Sequence, residues 1–186
     1  RASTTAPEAR VAALHSSRGD WLLFAMLGAI WGSSFLFIKI GLEYIGPFEL
    51  VGFRLLFGTT ALAVIVGVAR EPLPRDRATI GKLLFLAVFN VAIPFSLITW
   101  GELSIPSGTA AILNATVPLF TVCIAALAIS EAFDSPRVAG LAAGFAGVVI
   151  VVSRNAGGGS IAGELAVAAA ACSYAGSNVF ARRHLG

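Results

Sequence analysis

Apolar runs of roughly 16 to 23 residues, separated by short clusters of charge, follow one another along almost the whole chain. A helix rises about 1.5 Å per residue, so a run of that length crosses ~30 Å of hydrocarbon. In lipid such runs must be helical, because no water is present to satisfy the backbone amides. The pattern places spans at Trp21 to Leu42, Pro47 to Val68, Ile80 to Trp100, Ser107 to Ile129, Arg137 to Val152 and Ile161 to Ala181. The alternating stretches of a transmembrane barrel are missing. With 57% apolar and 12% charged residues, the chain also has too little polar surface to cover a globule in water. The expected fold is an all-α membrane protein, a polytopic helix bundle whose main partner is the lipid bilayer.

Basic residues orient such a bundle, since short cytoplasmic loops collect Lys and Arg. With the N-terminus inside, Arg1, Arg10, Arg18, Arg70, Arg75, Arg77, Lys82, Arg137, Arg182 and Arg183 fall on the cytoplasmic side, leaving Lys39, Arg54 and Arg154. The reading is a multi-pass protein of the cell (inner) membrane with a cytoplasmic N-terminal segment, residues 1–20. The net charge of +3 then reflects topology and implies no nucleic-acid partner. Cys123 and Cys172 both lie inside apolar runs, without metal spacing. No cofactor and no metal is implied.

Offset by 144 positions, Gly19-Asp20-Trp21-Leu22 falls against Gly163-Glu164-Leu165-Ala166, and Gly32-Ser33-Ser34-Phe35 against Gly176-Ser177-Asn178-Val179. With five spans per copy, the first and sixth spans run in opposite directions. That is the mark of an inverted repeat, common among secondary transporters. The expected domains are one repeat of five helices over residues 21–152, a Gly-rich linker at 153–160, and the start of a second repeat at 161–186. On that reading the last helix lacks its partners and the chain stops early.

Several residues stand out within the spans. Pro94 and Pro118 each remove the amide bond to a carbonyl four residues earlier, and those carbonyls belong to Asn90 and Asn114. Two Asn-x-x-x-Pro sites offer kinks with polar groups inside the membrane, which suit a polar solute or local satisfaction alone. Trp31 lies mid-span beside Ser33 and Ser34 and suits a cavity, with Ser177, Asn178 and Tyr174 as counterparts; Trp100 reads as a pathway residue or, better, an interface anchor. Small residues at Gly28 and Gly32, Gly140 and Gly144, Gly147, and Cys172 and Gly176 fit helix packing faces. Arg54 and Lys39 read either as snorkelling cations paired with Glu43, Glu49 or lipid phosphate, or, for Arg54, as an attractor of a solute carboxylate.

Other chemistries find little footing. No Asp, Glu or His falls near the middle of a span, with Glu102 and Asp20 only at edges, so proton coupling through a buried carboxylate has no support. Gly157-Gly158-Gly159-Ser160-Ile161-Ala162 fits a dinucleotide fingerprint, but the acidic residue expected about twenty positions on is replaced by Arg182 and Arg183. A membrane-embedded enzyme would need a cluster of His, Asp or Glu, and His15 and His184 stand near opposite chain ends.

Trp31-Gly32-Ser33-Ser34-Phe35, Pro47 through Arg54, the run from Trp100-Gly101-Glu102 to Pro118-Leu119-Phe120, and Glu131 ahead of Gly140, Gly144 and Gly147 together resemble the EamA-type transporters of the drug/metabolite transporter superfamily. That resemblance implies two inverted five-helix halves and export of amino acids, other metabolites or drugs. The leading expectation is a secondary transporter of a small-molecule solute, working by alternating access. The alternative is a non-transporting or truncated membrane subunit that needs a homo-oligomer or the missing C-terminal half.

Overall fold

The computed structural model describes residues 18–70, 72–129, 135–154 and 159–185. The lead-in through Ser17, Glu131 and linker residues 155–158 lie outside the described residues. Helix α1 is Arg18–Gly41, α2 Pro47–Ala69, and α3 Arg77–Ala87. A π-helical turn at Val88–Ala92 carries the chain into α4, Ile93–Gly101. Then come α5 (Ser107–Asn114), α6 (Val117–Ile129), α7 (Ser135–Arg154) and α8 (Ile161–His184).

Local chemistry sets the helix ends. Pro47 opens α2, where a missing N–H costs nothing, and the Glu49 carboxylate accepts the Gly46 amide at 3.1 Å. Asp76 caps α3 by accepting the Thr79 amide at 2.7 Å, an ion–dipole contact that holds its carboxyl below the usual range. Arg70 closes α2 with a left-handed φ of 53° and donates its amide back to Gly67 and Val66.

Four stretches are long and apolar enough to cross a membrane: Gly19–Gly41, Pro47–Ala69, Arg77–Gly101 and Ser107–Ala128. Among the described residues there are helices and no strands, and the protein is a polytopic helical membrane protein. Large apolar side chains face outward, Phe57 at 70% and Val68 at 80% exposure, as lipid-facing surface requires. The apolar stretch of α7, Val138–Ile150, is shorter than the four. Helix α8 has 24 residues but is richer in small and polar ones, and its burial explains why.

The chain divides into two compact units, 1–34 and 35–186. In the first, the described part is the outer-surfaced α1 helix to Ser34, with Trp21 and Phe24 edge to face at 6.2 Å. In the second, α8 is the central element: Val167, Ala170, Ala171 and Ala175 are wholly buried. It packs on α4, the π turn, α5 and α6. Its small side chains let the third and fourth spans close around it.

Two glycines set that packing. A Cβ on Gly101 would fall 2.8 Å from the Gly163 carbonyl oxygen and 2.8 Å from Val167 Cγ2, and one on Gly163 would collide with Ser104 Oγ. The end of α4 and the start of α8 thus cross backbone to backbone, sealed by the Ser160 amide donating to the Ser104 carbonyl at 3.2 Å. At the far end of α8, Lys82 donates to the His184 carbonyl at 2.8 Å, and Phe180 stacks between Phe85 and His184. The third span and α8 therefore run antiparallel, with the Lys82, Arg182 and Arg183 cations together at one end.

Candidate functional site

In the third span, Pro94 has no amide to offer the Asn90 carbonyl, and the helix answers by widening. The Ile93 amide reaches the Val88 carbonyl, five residues back, making the π turn. The widened turn presents polar groups to α8. Ser173 Oγ donates to the Phe89 carbonyl at 2.7 Å, and Ser177 Oγ lies 2.8 Å from Asn90 Oδ1. Ser177 Oγ is also 2.8 Å from the Tyr174 carbonyl, and its single proton serves one acceptor at a time. Asn90 and Ser177, chosen separately from the sequence, are thus brought together.

The second Asn-x-x-x-Pro site breaks its helix instead. Helix α5 ends at Asn114 and α6 begins at Val117, which puts Pro118 in the first turn of a new helix, where it is tolerated. Thr116 Oγ1 satisfies the Leu113 carbonyl at 2.6 Å. Asn114 Oδ1 is buried without a hydrogen-bond partner among the described residues. Both interrupted spans pack against α8.

At the other end of α4 stands a charged cluster. Lys39 Nζ donates to the carbonyls of Glu102 and Ile105, capping the helix terminus where its dipole is negative. Lys39 thus holds carbonyls just past the end of α4, where the sequence offered snorkelling or pairing with Glu43, Glu49 or lipid phosphate. The Arg54 guanidinium lies over the Phe95 ring, 4.6 Å from its centroid, a cation–π contact. The Glu49 carboxylate is engaged by the Gly46 amide.

Glu102, the first residue beyond the third span, corrects the reading that this half has no buried carboxylate. Its side chain is 0% exposed, and neither carboxylate oxygen has a hydrogen-bond partner among the described residues. Burial pushes its carboxyl from an ordinary 4.5 up to about 7, with Lys39 and then Arg54 pulling the other way. The sequence places Glu102 only at a span's edge; its neighbour Gly101 is where the start of α8 crosses backbone to backbone.

A pH dependence of stability follows. A raised carboxyl binds its proton more tightly folded than unfolded, so Glu102 favours folding most below its unfolded value of 4.5 and loses that contribution as pH rises toward about 7. Detergent melting curves across this range are expected to fall with pH for the native chain and to flatten for Glu102→Gln.

The remaining candidates are more scattered. Trp31 is exposed and Ser33 Oγ donates to the Ile30 carbonyl at 3.1 Å; both belong, with Ser34, Gly28 and Gly32, to the first unit. Trp100 and Asn178 are exposed, Pro94 is buried and Pro118 exposed. A Cβ on Gly144 would lie 2.7 Å from Leu119 Cδ2, whereas Gly28, Gly32, Gly140, Gly147 and Gly176 have open space within 4 Å. Ser173, Thr116, Gly101 and Gly163 went unremarked in the sequence.

The model of the EamA-like transporter family matches residues 19–153. A Salmonella typhimurium protein named "probable amino-acid metabolite efflux pump" is 31% identical over 169 residues, 90% of this chain and 54% of the relative. The Escherichia coli K12 "uncharacterized inner membrane transporter YedA" is 33% identical, over 87% of this chain and 52% of its own. A "probable terminal-alkyne amino-acid exporter" of Streptantibioticus cattleyicolor is 30% identical, over 73% and 45%. The chain spans about half the length of these curated relatives. No solved structure matches it.

Proposed function

Since the chain belongs to the EamA-like transporter family, we propose that it forms one half of an exporter of small metabolites carrying amino and carboxylate groups, working by alternating access. The observation that carries this reading is the pair of interrupted spans, at Val88–Ala92 and at Asn114–Val117, both packed on α8. Transporters bind at such breaks because unwound backbone offers polar groups that a regular helix would use internally. Here the Asn90 amide, the Ser177 hydroxyl and the unpartnered Asn114 oxygen supply them. Amino-acid export is what two of the relatives' names state of those proteins.

On this reading residues 21–152 form the first repeat and α8 opens an inverted second one, so α8 is the symmetry counterpart of α1. The cation-rich end, with Lys82, Arg182 and Arg183, faces the cytoplasm. Glu102 and Lys39 then stand at the outer end.

Solute flux from proteoliposomes carrying the full-length protein tests the proposal, across L-amino acids and cationic drugs, with and without a proton gradient. Saturable flux of at least one class is expected. Flux no faster than from protein-free vesicles across the panel would sink it.

Arg54 refines the solute class. If its guanidinium draws in a carboxylate, Arg54→Gln lowers transport of carboxylate-bearing solutes about tenfold, the low end of a charge-assisted hydrogen bond because the group is only half-buried. Transport of matched uncharged amides is expected to stay within about twofold. An unchanged preference between the two removes Arg54 from the pathway.

A further inference from the structure

Glu102 has two features that a structural carboxylate does not combine: complete burial and two unpartnered oxygens, beside cations that are engaged elsewhere. Lys39 holds the backbone carbonyl of Glu102 itself, one residue's length from the carboxylate it leaves alone. Arg54 is stacked on Phe95. Burial without a hydrogen-bond partner disfavours an ionised carboxylate in this position and favours the protonated form.

We propose that Glu102 is a proton-exchanging site: it is protonated while Lys39 caps the Glu102 and Ile105 carbonyls, and it releases that proton to water when the Lys39 ammonium swings onto the carboxylate. The exchange leaves the bonds of the chain intact and moves one proton per cycle. This deepens the transport reading above, and rests on it only for the coupling of that proton to a solute.

The surroundings fit a two-state switch. Lys39 from α1 and Arg54 from α2 are the cations whose charge reaches the carboxyl, and Tyr174 from α8 faces Arg54. Glu164, in the first turn of α8, approaches Gly159, Glu49 is held by the Gly46 amide, and Glu43 and Tyr44 are exposed in the turn after α1. Helices α5 and α6 carry no charged residue. Burial already brings the carboxyl to about 7, where a modest shift in the Lys39 position changes its charge.

Infrared titration of the full-length protein in nanodiscs tests the site without any solute. A carboxylic-acid carbonyl band is expected that persists in Glu102→Asp, is absent from Glu102→Gln, and vanishes with a midpoint near pH 7. In Lys39→Gln that midpoint moves up by about one pH unit or more, because the cation that favours ionisation is gone. A group ionised throughout from about pH 5 to 8, or a midpoint unmoved in Lys39→Gln, would overturn the proposal. The coupling arm uses radiolabelled L-amino acids in proteoliposomes: Glu102→Gln is expected to keep solute-for-solute exchange and to lose accumulation driven by a pH step. Accumulation equal to the native protein's would also overturn it. If no amino acid moves with either protein, the transport reading fails while the titration still decides whether Glu102 exchanges a proton.

Discussion

Alanine at Gly101 is expected to lower the melting temperature in detergent sharply, while alanine at Gly140 leaves it unchanged or raises it. Each is a glycine in an apolar helix, Gly101 the last residue of α4 and Gly140 inside α7, and their surroundings differ sharply. At Gly101 the added methyl meets a backbone carbonyl and a Val167 methyl, both at 2.8 Å, and a backbone atom has no rotamer to move into. Overpacking of this kind costs about 1–3 kcal/mol. Glycine already loses about 0.5–1 kcal/mol of helix propensity relative to alanine, so the clash must overcome that gain as well. At Gly140 nothing among the described residues lies within 4 Å, and the propensity gain stands alone. Gly163→Ala is expected to follow Gly101→Ala, since its methyl meets Ser104 Oγ, the Gly101 carbonyl oxygen at 2.9 Å and Ile105 Cγ2 at 3.0 Å. Equal melting temperatures for all three variants would mean that α8 is not seated on the third span as described.

That contrast shows what could be read from residues alone. Span length and hydropathy needed only the rise of a helix and the thickness of a bilayer, so α1, α2 and the third and fourth spans were legible from Trp21 onward. The prolines were legible as interruptions too, because a missing N–H acts on its own helix. What each interruption becomes was not. Pro94 yields a π turn, whose polar groups are taken up by Ser173 and Ser177, whereas Pro118 ends one helix and begins another. The difference lies in a neighbouring helix about 80 residues away in sequence for the first site. Glu102 was misread for the same reason. Its exposure depends on which helix crosses above it, and a glycine pair on two separate helices is a weak signal until the crossing is known.

Leucine at Asn114 is expected to abolish most transport while leaving membrane insertion intact. Leucine is close to asparagine in volume and more favourable in lipid, so translocation into the bilayer and helix formation should not suffer. The loss falls on chemistry. Asn114 Oδ1 is buried, unpartnered and placed at the break between α5 and α6, so removing it deletes an acceptor that no protein group uses. An acceptor for a solute ammonium contributes about 1.5–3 kcal/mol, roughly a ten- to hundredfold fall in flux at fixed solute concentration. Asn90→Leu makes the comparison sharper, because Asn90 is bonded to Ser177 and its loss removes that bond between the third span and α8, at a cost of about 0.5–1.5 kcal/mol, while the hydroxyl keeps the Tyr174 carbonyl as acceptor. The two variants therefore separate binding from stability: Asn90→Leu should lose melting temperature and flux together, and Asn114→Leu flux alone. Flux in proteoliposomes, normalised to protein inserted and read beside detergent melting curves, makes the distinction. A parallel loss of insertion and flux in Asn114→Leu would assign that oxygen to the helix break and not to the solute.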